Sequence, residues 1–402
     1  PKVTILELYL ILQTPKFLLK FYNLFKAYFL HKQFKIHTFV LQKLSYMSSE
    51  NLFKIDIQKA DKSKISEVDF NTLAFGDVFT DHMFECDYKN GAWEVPKIVP
   101  YHNLSIPPSA KVFHYGQACF EGMKAYRDAQ DQIWLFRPDE NQRRINKSLE
   151  RLAMPEFPAD YFMEGLTALV NLEKEWVKSG EGNSLYLRPF AIATEPGVSA
   201  GPANEYKFMI ICSPAKAYFS GEVRVRIADK YSRSANGGTG YAKAAGNYAG
   251  QFYPQELAHK EGLQQVIWTD ASTHQNIEEA GAMNVFFRIN DTLYTAPTSD
   301  RILDGVTRKS LIDLAKSLGH KVDVRYVTVN ELIACAKDGS LKEIFGAGTA
   351  AVISPVLGFS YKDEAYEVPL PDNSYALKLK KHLTDIQTNK SEDPFGWRVL
   401  VE

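Results

Sequence analysis

Between Phe75 and Tyr101 the apolar and polar positions read as strands, and the turn triplet Lys89-Asn90-Gly91 divides them into the arms of a hairpin. The spacing then becomes helical. Asp139 to Leu152 predicts one helix, with Asp139 as its candidate cap, and Pro158 to Lys178 predicts a second that ends at Gly180. Ser184 to Thr194 and Lys207 to Cys212 are short runs of apolar and aromatic residues, as expected of buried strands in the same sheet. Proline, glycine and small residues then gather over 213–221, which suits a linker.

Beyond the linker a new sheet opens: Val223, Val225 and Ile227 alternate with Arg224 and Arg226, the pattern of a strand solvated on one face. A glycine-rich stretch at 236–240 precedes a helix over about 247–261. Strands are expected at 264–270, 282–289, 292–296 and 321–327, and helices at 306–318 and 329–338, each stopped by a glycine. The last apolar run, Glu343 to Val352, is broken by Gly346 and Gly348. The pattern predicts a mixed α/β (α+β) chain with an N-terminal α/β domain over 47–215, a linker at 216–221 and a C-terminal domain over 222–402. At 402 residues the chain is long enough for two such cores.

Composition changes this picture little except at the start. The chain is 45% apolar and 24% charged with a net charge of −1, a balance that does not suggest a nucleic-acid binder. Residues 1–46 are dense in Leu, Phe, Tyr and Lys, contain no Arg, and hold one acidic residue, Glu7. Lysines interrupt every stretch that could span a membrane, and Arg and Ser are too scarce for a typical transit peptide. Met47, followed by Ser48-Ser49-Glu50, reads as the start of the folded part, with 1–46 outside it. Cys86, Cys119, Cys212 and Cys335 lie far apart and lack metal-site spacing, as reduced thiols of a cytosolic compartment would, and no metal site is expected.

Three places invite chemistry. In Asn236-Gly237-Gly238-Thr239-Gly240-Tyr241-Ala242-Lys243-Ala244-Ala245-Gly246-Asn247-Tyr248 one lysine stands among small residues that leave room for a planar ring. Desolvation can make such a lysine nucleophilic, although a surface lysine after a flexible loop would look the same. A phosphate-binding loop of the Walker type is excluded, because Ala242 and Ala244 stand where that motif needs glycine and a hydroxyl. Leu303-Asp304-Gly305-Val306-Thr307 and Gly346-Ala347-Gly348-Thr349-Ala350 each set a hydroxyl beside flexible backbone, which suits a phosphate cup or merely a cap and a loop. Arg144 can supply a guanidinium or be a solvated helix residue. Glu279, on a strand that should be buried, can hold a proton on a ring nitrogen; Glu278 competes, but alternation sends the two to opposite faces.

These segments resemble the branched-chain amino-acid aminotransferases, pyridoxal phosphate enzymes of fold type IV. The resemblance covers roughly 65–398. It is carried by Phe75-Gly76-x-x-Phe79-Thr80-Asp81-His82-Met83, His114-Tyr115-Gly116-Gln117, Phe120-Glu121-Gly122-Met123-Lys124-Ala125, Phe136-Arg137-Pro138 and Ser184-Leu185-Tyr186-Leu187-Arg188-Pro189. The lysine loop, Glu279-x-Gly281-x-Met283-Asn284 and Phe345-Gly346-x-Gly348-Thr349-Ala350 complete it.

The resemblance implies a homodimer with its active site at the junction of two domains, the N-terminal one smaller. Lys243 would form the Schiff base and move protons, Glu279 would pair with the pyridine nitrogen, and Tyr248 would bond the ring's phenolic oxygen. Arg144, Val306, Thr307 and Thr349 would hold the phosphate. The substrate side chain would lie against Phe75, Phe120, Tyr186, Tyr248 and Ala350, with Tyr115 and Val198 reaching in from a second subunit and Arg188 meeting the distal carboxylate of glutamate or 2-oxoglutarate.

Two positions depart from the family pattern. Ala351-Val352-Ile353-Ser354 stands where animal relatives carry Cys-x-x-Cys, and Ala282 replaces a pocket threonine. The rivals of the same fold type are D-amino-acid aminotransferase and aminodeoxychorismate lyase; Tyr186-x-Arg188-Pro189 and the Phe120–Ala125 segment favour the branched-chain reading. Outside that fold type, the glycine loop could serve a nucleotide-binding protein, and the extension could tether an interaction protein to a membrane.

Overall fold

The computed structural model describes residues 55–216 and 222–402. The readings made for 1–46, for a start at Met47 and for most of the linker fall outside these residues.

Two ten-stranded sheets organise the described chain. In the first, the strands run in the order Asp56–Ile57, Lys97–Pro100, His82–Lys89, Tyr206–Ala215, Ser184–Ala193, Met123–Arg127, Ile133–Phe136 and Arg398–Val401, with Ala92–Trp93 and Ala118–Phe120 paired beside this path. The Asn90-Gly91 turn forms as read: both residues have positive φ, 53° and 82°, as a two-residue hairpin requires. Tyr206–Ala215 and Ser184–Ala193 pair along their whole length, and this register sets Tyr186 and Arg188 on one face. The helices Pro138–Arg151 and Ala159–Leu172 cover the sheet, burying Phe84, Phe162, Leu166 and Phe208 between the layers.

The second sheet runs Lys321–Val324, Thr292–Thr295, Asn284–Ile289, Ile277–Ala280, Gln265–Thr269, Arg224–Ile227, Gly358–Tyr361 and Glu364–Glu367, and Leu341–Gly348 joins it beside Asn284–Ile289 and carries Val352–Val356. The alternation read at Arg224–Ile227 holds, with Val225 and Ile227 buried and both arginines partly exposed. Val306–Ser317 and Tyr375–Gln387 pack through Leu311, Leu314, Leu379 and Leu383 into a further core that includes Phe136 of the first sheet. The closing strand, Arg398–Val401, returns to that first sheet beside Ile133–Phe136.

Several boundaries differ from the sequence reading. Phe75 to Asp81 is not a strand; the pairing begins at His82. Asp139 is not a cap, because Pro138, with its preset φ, already opens the helix, and the Asp139 carboxylate pairs with Arg143 instead at 2.9 Å. The second helix stops at Leu172: Glu173 turns its carboxylate inward to His82 and to the Asp81 N–H, and the chain leaves by a short 3-10 turn. The helix expected over 247–261 is two, Ala245–Ala249 and Phe252–Lys260, broken at Gly250. Cys86, Cys119 and Cys212 are buried and Cys335 partly so; burial pushes the Cys86 and Cys119 thiols up to about 12. Among the described residues no helix is long and apolar enough to cross a membrane.

Candidate active site

Lys243 is fixed at both ends of its peptide. Its N–H donates to Ser148 Oγ at 2.9 Å and its carbonyl accepts from the Phe120 N–H at 3.1 Å, while Ala242 and Ala244 on either side are buried. The short helix Ala245–Ala249 then carries Tyr248 back beneath the side chain, so that Lys243 Nζ lies 2.7 Å from Tyr248 Oη and 4.8 Å from the centre of the Phe120 ring. This is not a surface lysine on a flexible loop. It lines a cleft with about 430 Å³ of free space, part of it open to solvent.

Opposite the amine stands Glu279. The strand Ile277–Ala280 is buried throughout, and alternation sends Glu279 into the cleft and Glu278 away from it, to Arg301. Glu279 forms an ion pair with Arg233, Nη1 lying 2.7 Å from its carboxylate, and accepts from Asn284 Nδ2 at 3.1 Å and from the Leu303 N–H at 3.2 Å. Burial pushes its carboxyl above the ordinary carboxylate range, and Arg233 and the Leu303 N–H pull it only part of the way back. The result is a carboxylate unusually willing to share a proton.

The far wall is built to receive an anion. Val306 and Thr307 open the Val306–Ser317 helix, and first-turn N–H groups have no acceptor within their own helix. Gly305 caps it in such close quarters that a Cβ there would stand 1.9 Å from Asn284 Oδ1. Arg144 faces the same point, held by Glu121 through Nε and Nη2, each at 2.7 Å, and by the Asp304 carbonyl on Nη1 at 3.0 Å. Arginine has five N–H groups, so these bonds leave one on each terminal nitrogen for a ligand. Burial opposes the charge on both partners, but the pairing prevails: Glu121 titrates below its ordinary value and Arg144 above it. Gly348, the last residue of the strand Leu341–Gly348, and Thr349 in the turn after it close the wall, with Thr349 Oγ1 donating to the Gly122 carbonyl at 3.0 Å.

The expected substrate residues fall into two groups. Phe120, Tyr186, Arg188 and Phe75 form one continuous surface beside the lysine: the Arg188 guanidinium lies 4.6 Å from the Phe120 ring centre and donates to Tyr186 Oη at 2.9 Å, and Phe75 meets Tyr186 edge-on at 4.8 Å. Phe120 in turn packs on Tyr248 at 4.8 Å, and the Ala350 carbonyl accepts from Lys124 Nζ at 2.8 Å. Tyr115 and Val198 do not join this surface. They touch each other, the Tyr115 hydroxyl bonding the Val198 carbonyl, and both are exposed.

Known proteins place this arrangement. A family model described as amino-transferase class IV matches residues 118–359. Branched-chain-amino-acid transaminase 1 of Bacillus subtilis is 44% identical over 339 residues, 83% of this chain and 95% of that protein. A probable branched-chain-amino-acid aminotransferase of Staphylococcus aureus is 45% identical over 356 residues, 87% of this chain and 98% of that one. The chain belongs to the branched-chain aminotransferases of class IV. The branched-chain aminotransferase structure from Escherichia coli shares its fold at TM-score 0.64 and 24% identity, covering 80% of this chain and 99% of that one. The T.th. branched-chain aminotransferase complexed with N-(5'-phosphopyridoxyl)-L-glutamate matches at TM-score 0.63 and 25% identity, covering 79% and 98%.

This aminotransferase is a pyridoxal phosphate enzyme, and the cleft fits the cofactor on its own chemistry. An amine, a buried carboxylate suited to face a ring nitrogen and an anion cup surround one space, and a side chain at Gly305 would collide with Asn284 in its lining. Sequence reasoning missed two of the enzyme's site residues. Arg233 lines the cleft with a side chain only 3% exposed, and its one signal in the sequence is a cation just ahead of the glycine loop. Glu121 stands within one of the family motifs, but no local pattern gives it a role, since nothing near it in sequence shows that Arg144 lies against it.

Proposed function

We propose that this enzyme reversibly transfers the amino group of L-leucine, L-isoleucine or L-valine to 2-oxoglutarate, giving the branched 2-oxo acid and L-glutamate. The observation that carries the reading is the Lys243 amine, bonded to Tyr248 Oη at the edge of a cleft that has Glu279 on one side and the Arg144 cup on another.

When bound, pyridoxal phosphate supplies an electron sink that makes the substrate's α-hydrogen acidic. The chain supplies the rest. Arg144, Val306, Thr307 and Thr349 would hold the phosphate, and Glu279 would keep a proton on the ring nitrogen. Lys243 Nζ would take the proton from the substrate Cα, and Tyr248, whose Oη lies 2.7 Å from Nζ, would orient it for that transfer and could also bond the ring's phenolic oxygen. Phe75, Phe120, Tyr186 and Ala350 receive the apolar branch, and Arg188 receives the distal carboxylate of glutamate from the rim of the same surface. We read 47–215 and 222–402 as two domains with the site at their junction, since the cleft takes Arg144 from the first and Lys243, Glu279 and Thr307 from the second. A homodimer fits the exposure of Tyr115 and Val198, which would complete the partner's pocket.

The test is direct. The purified holoenzyme should convert L-leucine and 2-oxoglutarate to glutamate and leave D-alanine unused, and Lys243→Ala should lose both turnover and the visible cofactor band while keeping its fold. Turnover of D-alanine in place of L-leucine, or normal turnover in Lys243→Ala, refutes the assignment.

A further inference from the structure

Glu278 is the carboxylate that the cofactor does not need, yet it is only 2% exposed. It accepts from Arg301 Nε, and its second oxygen is buried with no hydrogen-bond partner among the described residues. Arg301 sits in the 299–302 turn and reaches from there to the glycine loop, giving Nη1 to Asn236 Oδ1, and to Tyr326 Oη, giving Nη2 at 3.1 Å.

The rest of that turn grips the same loop. The Asp300 carboxylate accepts from the Gly237 N–H, and the Asp300 carbonyl accepts from the Tyr241 N–H at 3.1 Å. The Arg301 carbonyl and the Gly240 carbonyl share Arg233 Nη1, each at 3.0 Å. Gly240 is indispensable to the fit, since a Cβ there would stand 2.3 Å from the Arg301 carbonyl oxygen. Two neighbouring carboxylates on one strand therefore seat two arginines: Glu279 holds Arg233 at the front of the loop, and Glu278 holds Arg301 behind it.

We propose that Glu278 is a positioning residue for transamination, fixing the 236–241 loop through Arg301 and so the place from which Lys243 reaches the cleft. The proposal rests on the reading of Lys243 as the reactive amine. It does not act through the ring proton. The Glu278 charge is one of the influences that push Glu279 up, so removing it leaves Glu279 more firmly ionised and the cofactor's ring nitrogen as well paired as before.

The experiment uses the holoenzyme and compares Glu278→Gln, Arg301→Met and the double variant with wild type. Misplacing a reacting group by about 1 Å can cost about a hundredfold in rate. Single-turnover conversion of L-leucine, followed at the visible band, should therefore fall roughly ten- to a hundredfold in Glu278→Gln, with cofactor content unchanged. Amide hydrogen exchange over 236–241 should speed up by at least about tenfold while exchange in Met123–Arg127 and Asn284–Ile289 stays as in wild type. Arg301→Met should behave alike, and the double variant should be no worse than either single one.

Unchanged turnover and unchanged loop exchange in Glu278→Gln overturn the proposal. So do faster exchange throughout the chain, which would make the residue merely structural, and losses that multiply in the double variant. Should Glu278→Gln fail to fold, Asn236→Ala, at an exposed position, reads the same clamp: unchanged loop exchange there overturns it. Failure of the wild type to convert leucine would instead refute the function, and loop exchange reports on Glu278 independently of substrate.

Discussion

Replacing Glu279 by glutamine disturbs two things at once, and the structure shows how to separate them. The carboxylate neutralises Arg233 at 2.7 Å, and the Arg233 side chain is 3% exposed with its Nε lacking any acceptor among the described residues. Removing one partner of a buried ion pair costs about 3–5 kcal/mol, and because glutamine keeps an oxygen for Arg233 the loss should sit near the lower end, at about 3 kcal/mol. The chemical loss is distinct. A carboxylate and a protonated ring nitrogen at about 4 Å and an effective dielectric near 20 attract by about 4 kcal/mol, equivalent to roughly a thousandfold in rate. Adding Arg233→Met removes the stranded cation. The double variant should recover part of the lost stability, less whatever the Gly240 and Arg301 carbonyls forfeit with their donor, and recover none of the rate. Denaturant unfolding of the four proteins of this cycle measures the first quantity, and the leucine half-reaction measures the second. Additive losses of stability would mean that the pair is not coupled, and recovery of turnover in the double variant would mean that Glu279 serves only to hold Arg233.

Arg188→Leu should raise the apparent KM for 2-oxoglutarate by at least about tenfold, since a charged hydrogen bond contributes about 1.5–3 kcal/mol, while single-turnover conversion of leucine stays within a few-fold of wild type; equal damage to both would place the shared α-carboxylate at Arg188. Glu140 lies between Lys309 and Arg143, and although burial pushes its carboxyl up, these cations hold it at about 2. A carboxyl depressed on folding stabilises the protein above its ordinary range, and that contribution is lost as pH falls toward 2. Glu140→Gln should therefore flatten the acid limb of a plot of Tm against pH, and an unaltered limb would show that Glu140 is not part of the acid response.

What the sequence made legible follows from the range of the forces involved. Alternation and turn chemistry act over a few residues, so the Asn90-Gly91 hairpin, the strand at Arg224–Ile227 and the opposite facing of Glu278 and Glu279 could all be read from local pattern. The helix Tyr375–Gln387 and the strand Arg398–Val401 were not read. The helix begins where Ser374 caps it and the Glu343 carboxylate takes the Tyr375 and Ala376 N–H groups, and the strand forms only against Ile133–Phe136, more than 260 residues earlier in the chain. The site divides in the same way. Lys243 and Glu279 stand out as candidates through neighbours in sequence and Tyr248 through the family resemblance, whereas Arg233 and Glu121 acquire a role only through partners that folding brings to them. A pattern of period two can say that two adjacent carboxylates part company. It cannot say which arginine waits on each side, and here that choice separates the group facing the cofactor's cleft from the one that holds the lysine loop in place.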